Sequence, residues 1–458
     1  MDCKNIFFKF ANNQFLLIRK YILLVDNTFN NEAELTDNFA LFEWLQTQSK
    51  YKKISYYIIN KHNVQYKQIA TKYPHNIIPV EHGMLDWPLL RKMVRAKFWL
   101  DSFQVISAFD PDAIIRKGKI TTVYTQHGIN YFKPGFLGNI AISPKYFNKI
   151  IFSNTTEREL FKKYYGYNDK NAVIAGLSRW DLMKKHPQEK IIFAYFTSRA
   201  YLNQGRRAQL TQSKYYKNII AFLSSRKMKE FLQKNNIKLY VGMHHEMTKC
   251  KQIKKQMLSE VNLIEDKDIG NIKQKASMLI TDFSSMCFDF MIKDKPVIFF
   301  RVDAGDSLCK LHPDSAENDI NVEKKNNELY NIFYTAEDVV DSIEKYVKNN
   351  FQLEKEYIAK NEKFFTYREN IRQHLIENLL SSPKNVSNVL PGIKMNSSGV
   401  RYCLLNFLPF CEYKRIGGRK QWKIFGFPIF KIRRMANGIT TKYYVLGFPI
   451  MKVSRKLW

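Results

Sequence analysis

Two histidines, one arginine and a run of hydroxyl and carboxylate residues carry the chemistry open to this sequence. His127 lies in Thr125-Gln126-His127-Gly128-Ile129, directly after the apolar run Lys119–Tyr124. An imidazole titrates near neutral pH, so at a strand end it serves either as a general base or as a hydrogen-bonded structural histidine. Gly128 allows another group to come close to the backbone there. His244 and His245 follow the run Lys238–Val241. One of them can hold a phosphate or protonate a leaving group; the alternative is a surface pair. Arg199 closes Thr197-Ser198-Arg199, and its guanidinium suits a bidentate grip on a diphosphate. The richest stretch is Ala276–Phe300, where Thr281-Asp282-Phe283-Ser284-Ser285 separates two apolar runs and precedes Met286, Phe288, Phe290 and Met291. Strand, hydroxyl-rich turn and helix start make either an anion site or an ordinary βαβ turn. Arg179 and Asp181 are expected to form a structural ion pair at a domain junction. No HxH, HExxH or CxxC spacing occurs among the nine histidines and six cysteines. Neither a metal site nor a disulfide framework is expected, and a reducing compartment fits. Glycine-rich phosphate loops and a GxSxG elbow are absent as well.

These residues need elements to hold them. Short apolar runs predict strands at Tyr21–Val25, Ile54–Ile59, Asn76–Val80, Ala96–Leu100, Lys119–Tyr124, Asn148–Phe152 and Ala172–Ala175. Helical spacing marks Asn31–Thr47 and Thr156–Tyr165. After a pause around Pro187 the alternation restarts, with strands at Lys190–Tyr195, Lys238–Val241, Met278–Ile280 and Val297–Phe300. Helices are expected over Asn218–Gln233, Thr335–Asn350 and Glu354–Leu380. Alternating strands and helices argue for an α/β fold with parallel sheets in two halves, and a cleft at the strand carboxyl ends. The expected divisions are 1–186, 187–380, a Ser/Pro/Asn-rich linker at 381–400, and a module at 401–458.

Lys and Arg number 73 against 42 acids, a net charge of +31, which predicts an anionic partner. The last module is the most basic, with 13 Lys or Arg and one acid, Glu412. It repeats a pattern at Ile424–Arg434 and Val445–Arg455, with a weaker copy at Leu405–Arg415. Short β-hairpins with one basic face satisfy it. Lys4, Lys9, Arg19 and Lys20 interrupt the N-terminal apolar runs, so no secretory signal is expected. No run reaches the roughly 18 apolar residues of a membrane span.

Together the motifs resemble the CDP-glycerol glycerophosphotransferase family, whose members build wall teichoic acid and some capsule or lipopolysaccharide polymers. The resemblance covers about residues 20–380. Gln126-His127-Gly128 matches the family's QHG or WHG motif. Gly176-Leu-Ser-Arg-Trp-Asp181 is similar to its G-x-P-R-x-D segment, with Ser178 for Pro. Thr197-Ser198-Arg199 looks like its P-T-x-R turn, with Phe196 at the Pro position. His244 falls where the second family histidine lies. Thr281–Ser285 with Phe288-Asp289 matches T-D-Y-S-S-x-x-F-D, with Phe283 for Tyr.

The resemblance implies a GT-B fold of two Rossmann-like domains facing a cleft, without a cofactor. It implies transfer of glycerol phosphate, or a similar polyol phosphate, from a CDP-activated donor such as CDP-glycerol to a hydroxyl of a glycan or polyol-phosphate acceptor. By the same analogy His127 is the base and His244 stabilises or protonates the transferring phosphate. Gln126, Gly128, Arg199, Thr281, Asp282, Ser284, Ser285 and Asp289 are then the candidate substrate-binding positions. Of these, Asp282 and Asp289 either contact ligand or order the turn. The basic module is expected to meet an anionic membrane surface, a lipid-linked acceptor or a polyanionic product, or else to pack on the enzyme. That places the protein in the cytoplasm, peripheral at the inner face of the membrane. Two rival readings are a GT-B glycosyltransferase using a nucleotide sugar and a non-enzymatic polyanion or nucleic-acid binder. RNP-type aromatic motifs are absent, so a nucleic-acid partner is not expected.

Overall fold

The computed structural model describes residues 19–26, 37–81, 87–103, 120–129, 131, 147–165, 167–183, 189–197, 212–243, 262–264, 268–303 and 332–382, and seven strands between 393 and 454 by backbone and register. Strands β1 (Tyr21–Val25), β2 (Ser55–Asn60), β3 (Ile77–Val80), β4 (Ala96–Asp101), β5 (Thr121–Tyr124), β6 (Lys149–Phe152) and β7 (Ala172–Ile174) form a first sheet. Its order is β3-β2-β1-β4-β5-β6-β7, and every pairing is parallel. A second parallel sheet joins β8 (Ile191–Phe196), β9 (Lys238–Met243), β10 (Asn262–Leu263), β11 (Met278–Thr281), β12 (Val297–Phe300) and β13 (Ile332–Phe333) in the order β10-β9-β8-β11-β12-β13.

The apolar runs become strands because both faces of each sheet are covered, as parallel strands require. In β1, Leu23 and Val25 belong to one core cluster while Ile22 and Leu24 belong to the other. Burying such a side chain contributes about 1.5–3 kcal/mol. In both sheets the strand order reverses once, between β1 and β4 and between β8 and β11. The crevice beyond the strand carboxyl ends at such a reversal is where α/β sheets hold ligands.

Two long helical expectations break. Residues 218–233 fall in two helices, Lys214–Ser224 and Arg226–Lys234, because Ser225 ends the first and accepts the Met228 N–H at the start of the second. The segment 354–380 also splits, into Lys355–Phe364 and Ile371–Ser381, with Asn370 left-handed at φ 53°. The second of these helices leaves its neighbours: Leu375, Ile376 and Leu379 pack with Ile22, Leu24 and Leu41 on the first sheet. The division expected at 187–380 therefore contains a helix that completes the other half.

A third sheet, antiparallel and in sequence order, comprises β14 (Ile393–Asn396), β15 (Gly399–Leu404), β16 (Leu408–Ile416), β17 (Arg419–Ile424), β18 (Phe427–Arg434), β19 (Thr440–Val445) and β20 (Phe448–Ser454). It starts at Ile393, inside the stretch expected to be linker.

Candidate active site

β5 runs into Thr125 and Gln126, and Gln126 turns the chain by taking φ 62°. A non-glycine residue there costs about 1–3 kcal/mol, so something must hold it. Its fully buried side chain does: the amide donates to the Ile151 carbonyl at 2.6 Å and to Glu157 Oε1 at 3.1 Å. Glu157 is itself fixed by the Ser153 N–H and hydroxyl at 2.8 and 3.0 Å. The side chain of Gln126, a candidate substrate contact by sequence, is thus a strap that aims its neighbour.

That neighbour is His127. Its Nδ1 lies 3.2 Å from the Ser102 carbonyl and 3.4 Å from the Tyr124 hydroxyl. A carbonyl only accepts, so Nδ1 carries the proton and Nε2 keeps its lone pair. No hydrogen-bond partner for Nε2 occurs among the described residues. The ring stacks on Phe103 with centroids 4.4 Å apart and planes 20° apart. The side chain is solvent-accessible, with protein packed closely around it. That surrounding protein lowers its pKa from the usual imidazole value. The Ser102 carbonyl opposes the shift, and the nearby Arg179 cation adds to it. The arrangement is a neutral, oriented proton acceptor.

Ser102 is held in turn. It follows β4, and its hydroxyl donates to Asp26, which follows β1. Asp26 also accepts from the Asn38 and Phe39 N–H groups at 3.2 and 2.9 Å and from Tyr57 at 3.0 Å. The second sheet repeats the device at its own reversal. Thr197, after β8, donates its N–H and hydroxyl to Asp282, after β11, the hydroxyl at 2.7 Å. Asp282 accepts the Phe283 N–H as well, at 2.7 Å, and the Thr281 hydroxyl donates to the Tyr195 carbonyl at 2.6 Å. Both side chains are buried and bonded within the protein, so they order the turn.

Ser284 and Ser285 follow. The Ser284 hydroxyl accepts the Met286 N–H at 3.3 Å, and the carbonyls of both serines accept from Cys287 and Phe288. The helix beyond, Cys287–Met291, has only five residues and no side-chain cap. A helix-terminus anion site of the expected kind is therefore weak here, and the turn itself is the feature that faces the first half. A Cβ built on Gly128 would lie 2.4 Å from Ser285 Oγ and 3.1 Å from its Cβ, so glycine at 128 lets the His127 loop and the serine turn come this close without displacing the serine.

Behind this contact sits a buried ion cluster. Arg179, in the 3-10 turn Ser178–Leu182, donates to Asp289 at 2.9 and 3.1 Å, to the His127 carbonyl at 3.1 Å, and to Asp37. Trp180 Nε1 and Lys273 Nζ also donate to Asp289, at 2.6 and 2.8 Å. Burial alone would raise the Asp289 pKa; the charges of Arg179 and Lys273 overcome it and hold the group down at about 2. Asp37 fares differently. Burial pushes it up to about 6, with Arg179 only partly opposing. One guanidinium serves two carboxylates, and Asp289, which also has Lys273, is the better compensated. The expected Arg179–Asp181 pair does not form: Asp181 accepts the Ile371 and Arg372 N–H groups and the Arg372 side chain, each at 3.0 Å.

The structure thus brings His127, Gly128 and Ser285 together, and Arg179 binds that loop to Asp289 of the second half. Arg199 and His244 lie outside the described residues, just beyond Thr197 and Met243. Asp26, Ser102, Phe103 and Asp37 escaped the sequence reading. Only Asp26 had a local signal, a carboxylate directly after an apolar strand.

Residues 27–380 match the family described as CDP-glycerol:poly(glycerophosphate) glycerophosphotransferase. A curated relative, the minor teichoic acid biosynthesis protein GgaB of Bacillus subtilis (strain 168), is 24% identical over 238 residues, 49% of this chain and 25% of that protein. The chain thus matches about a quarter of that relative's length. Among solved structures, the wall teichoic acid polymerase TagF aligns at a TM-score of 0.54 and 15% identity, covering 82% of this chain and 91% of that one. A TagF histidine variant soaked with CDPG aligns at 0.55 and 14% over the same shares. At these identities the likeness is one of fold: two parallel α/β sheets of the GT-B-like kind.

Proposed function

The chain belongs to the CDP-glycerol:poly(glycerophosphate) glycerophosphotransferase family, and we propose that it moves glycerol phosphate, or a related polyol phosphate, from a CDP-activated donor to a hydroxyl of a surface glycan or polymer. In this reaction the acceptor oxygen attacks the phosphorus that carries the polyol. The new P–O bond forms in line with the bond to the bridging oxygen, which breaks, and CMP leaves. The acceptor proton passes to His127 Nε2. The observation that carries this reading is the tautomer lock, with Nδ1–H on the Ser102 carbonyl and the lone pair left on Nε2, one residue before the Gly128 that abuts Ser285.

Ser284 and Ser285 are assigned to the donor diphosphate, with Gly128 giving it backbone access. Arg199 and His244 join them through the family resemblance, the first gripping the diphosphate and the second stabilising the transferring phosphate. Gln126, Thr281, Asp282 and Asp289 are assigned to holding these groups in place. No helix among the described residues is long and apolar enough to cross a membrane. Attachment to the inner face of a membrane has the chain's +31 charge in its favour and no more.

The test is nucleotide release from CDP-glycerol, CDP-ribitol, UDP-sugars and CMP-sugars by the parent protein and by His127→Ala. CMP release from a CDP-polyol that falls about 100-fold or more in the variant supports the reading. Turnover of a UDP-sugar alone overturns it.

A further inference from the structure

Register divides the third sheet into two unlike faces. Trp422 pairs with Phe430, Phe430 with Val445 and Val445 with Phe448, while Tyr413 pairs with Trp422 and Val400 with Tyr413. Directly paired residues share a face, so one row across β15–β20 is wholly apolar or aromatic. Three positions along β17, β18 and β19, and four along the bulged β20, and therefore on the other face, Arg419 pairs with Arg433, Arg433 with Lys442 and Lys442 with Lys452. The bulge opposite Tyr443 and Tyr444 adds a residue to β20 and keeps the two rows on opposite faces there. Lys414 and Lys431, each paired with Gln421, lie on that second face one row further along.

Four cationic residues on four consecutive strands form a line across the sheet. At about 4.8 Å per strand it spans about 14 Å. Like charges directly opposite one another destabilise a sheet, so such a row needs counter-charge. Glu412 is the only acid between 401 and 458, and it pairs with Lys423 rather than within the line.

We propose that this cationic line is a binding track for an anionic phosphodiester polymer, the acceptor or product of the transfer proposed above. The polymer's identity rests on that transfer; the track rests on register. A chain with one negative charge per repeat needs only a line of cations. A bilayer would engage basic and aromatic groups together; the line itself holds no aromatic residue, and of the aromatic residues on β17–β20 only Tyr444 shares its face, with Trp422, Phe427, Phe430, Tyr443 and Phe448 on the other. The track gives the polymer a second hold on the enzyme, away from His127, that keeps a growing chain bound between transfers.

The test uses the full-length protein and labelled poly(glycerol phosphate), with binding followed by anisotropy across a salt series and phosphatidylglycerol vesicles as a parallel probe. One variant combines Arg419→Ala, Arg433→Ala, Lys442→Ala and Lys452→Ala. A charge-matched control replaces the exposed Lys53, Lys67, Lys229 and Lys234 by alanine. A third variant, Arg419→Lys with Arg433→Lys, keeps the charge. The row variant is expected to bind polymer about tenfold or more weakly, with a salt slope smaller by about 3 for four lost contacts. The control and the lysine variant are expected to stay within about twofold of the parent. Equal losses in row variant and control, or undiminished polymer binding by the row variant, overturn the proposal. So does loss of vesicle binding with polymer binding kept, which assigns the face to a bilayer. Row-dependent polymer binding by a protein that releases no CMP from CDP-glycerol overturns the transfer and leaves the track standing.

Discussion

Replacing Asp289 by asparagine removes the carboxylate that Arg179, Lys273 and Trp180 share. Asp289 is 1% exposed, so solvent screens the cluster little. Its pKa drop from 3.8 to about 2 corresponds to about 2–3 kcal/mol of stability at neutral pH. The group is depressed in the folded state, so this contribution is full above pH 4 and is lost as pH falls toward 2. The substitution also strands a guanidinium that is 15% exposed, which takes the expected cost to about 3–5 kcal/mol. Urea unfolding of Asp289→Asn, Arg179→Met and the double variant measures it. A coupling energy of about 2 kcal/mol or more between the two is expected, together with a flattened stability slope between pH 4 and 2 in Asp289→Asn. Coupling below about 0.5 kcal/mol would refute the cluster as the tie between the halves.

Asp37 titrates the other way. Its raised pKa, about 6, means that its contribution is full below pH 3.8 and is lost as pH rises through 6. Asp37→Asn should flatten the stability profile between pH 4 and 6, by up to about 1.4 kcal/mol per pH unit; an unchanged profile would discard this assignment. Gln126→Ala removes the amide that donates to the Ile151 carbonyl and to Glu157 Oε1 and should cost about 1–3 kcal/mol. In turnover assays it should lower kcat with KM for the donor little changed, whereas a rise in KM alone would make Gln126 a substrate contact. Gly128→Ala makes the Ser285 side chain turn or shift and should reduce transfer; Ser285→Gly in the same chain should restore part of it. No restoration would mean that the two loops are not in the contact described.

The strands were legible because each is a short apolar run buried on both faces: Tyr21–Val25 and Val297–Phe300 emerge with the limits read from sequence. The place of His127 at a strand end was legible for the same reason. What holds it there was not. Gln126 reaches Ile151 and Glu157, and Arg179 reaches Asp289, 110 residues away; pairings of that range leave no local pattern. Nearness misled at Arg179 and Asp181, two residues apart, which face different partners. The helix break after Phe364 was hidden because the charged and apolar spacing continues across it, and a left-handed asparagine at 370 interrupts it without a proline or glycine.

The helix Ile371–Ser381 sets a timetable for the chain's birth. It covers a face of the first sheet, and its first N–H groups are held by Asp181, 190 residues earlier. On a ribosome adding about 5–20 residues per second, that interval lasts about 10–40 s. For that time Ile22, Leu24 and Leu41 wait without Leu375, Ile376 and Leu379. The first half of the protein, although complete in its strands, is finished only after the strands of the second sheet have been made, and a chaperone that shelters a half-covered sheet would find its moment there.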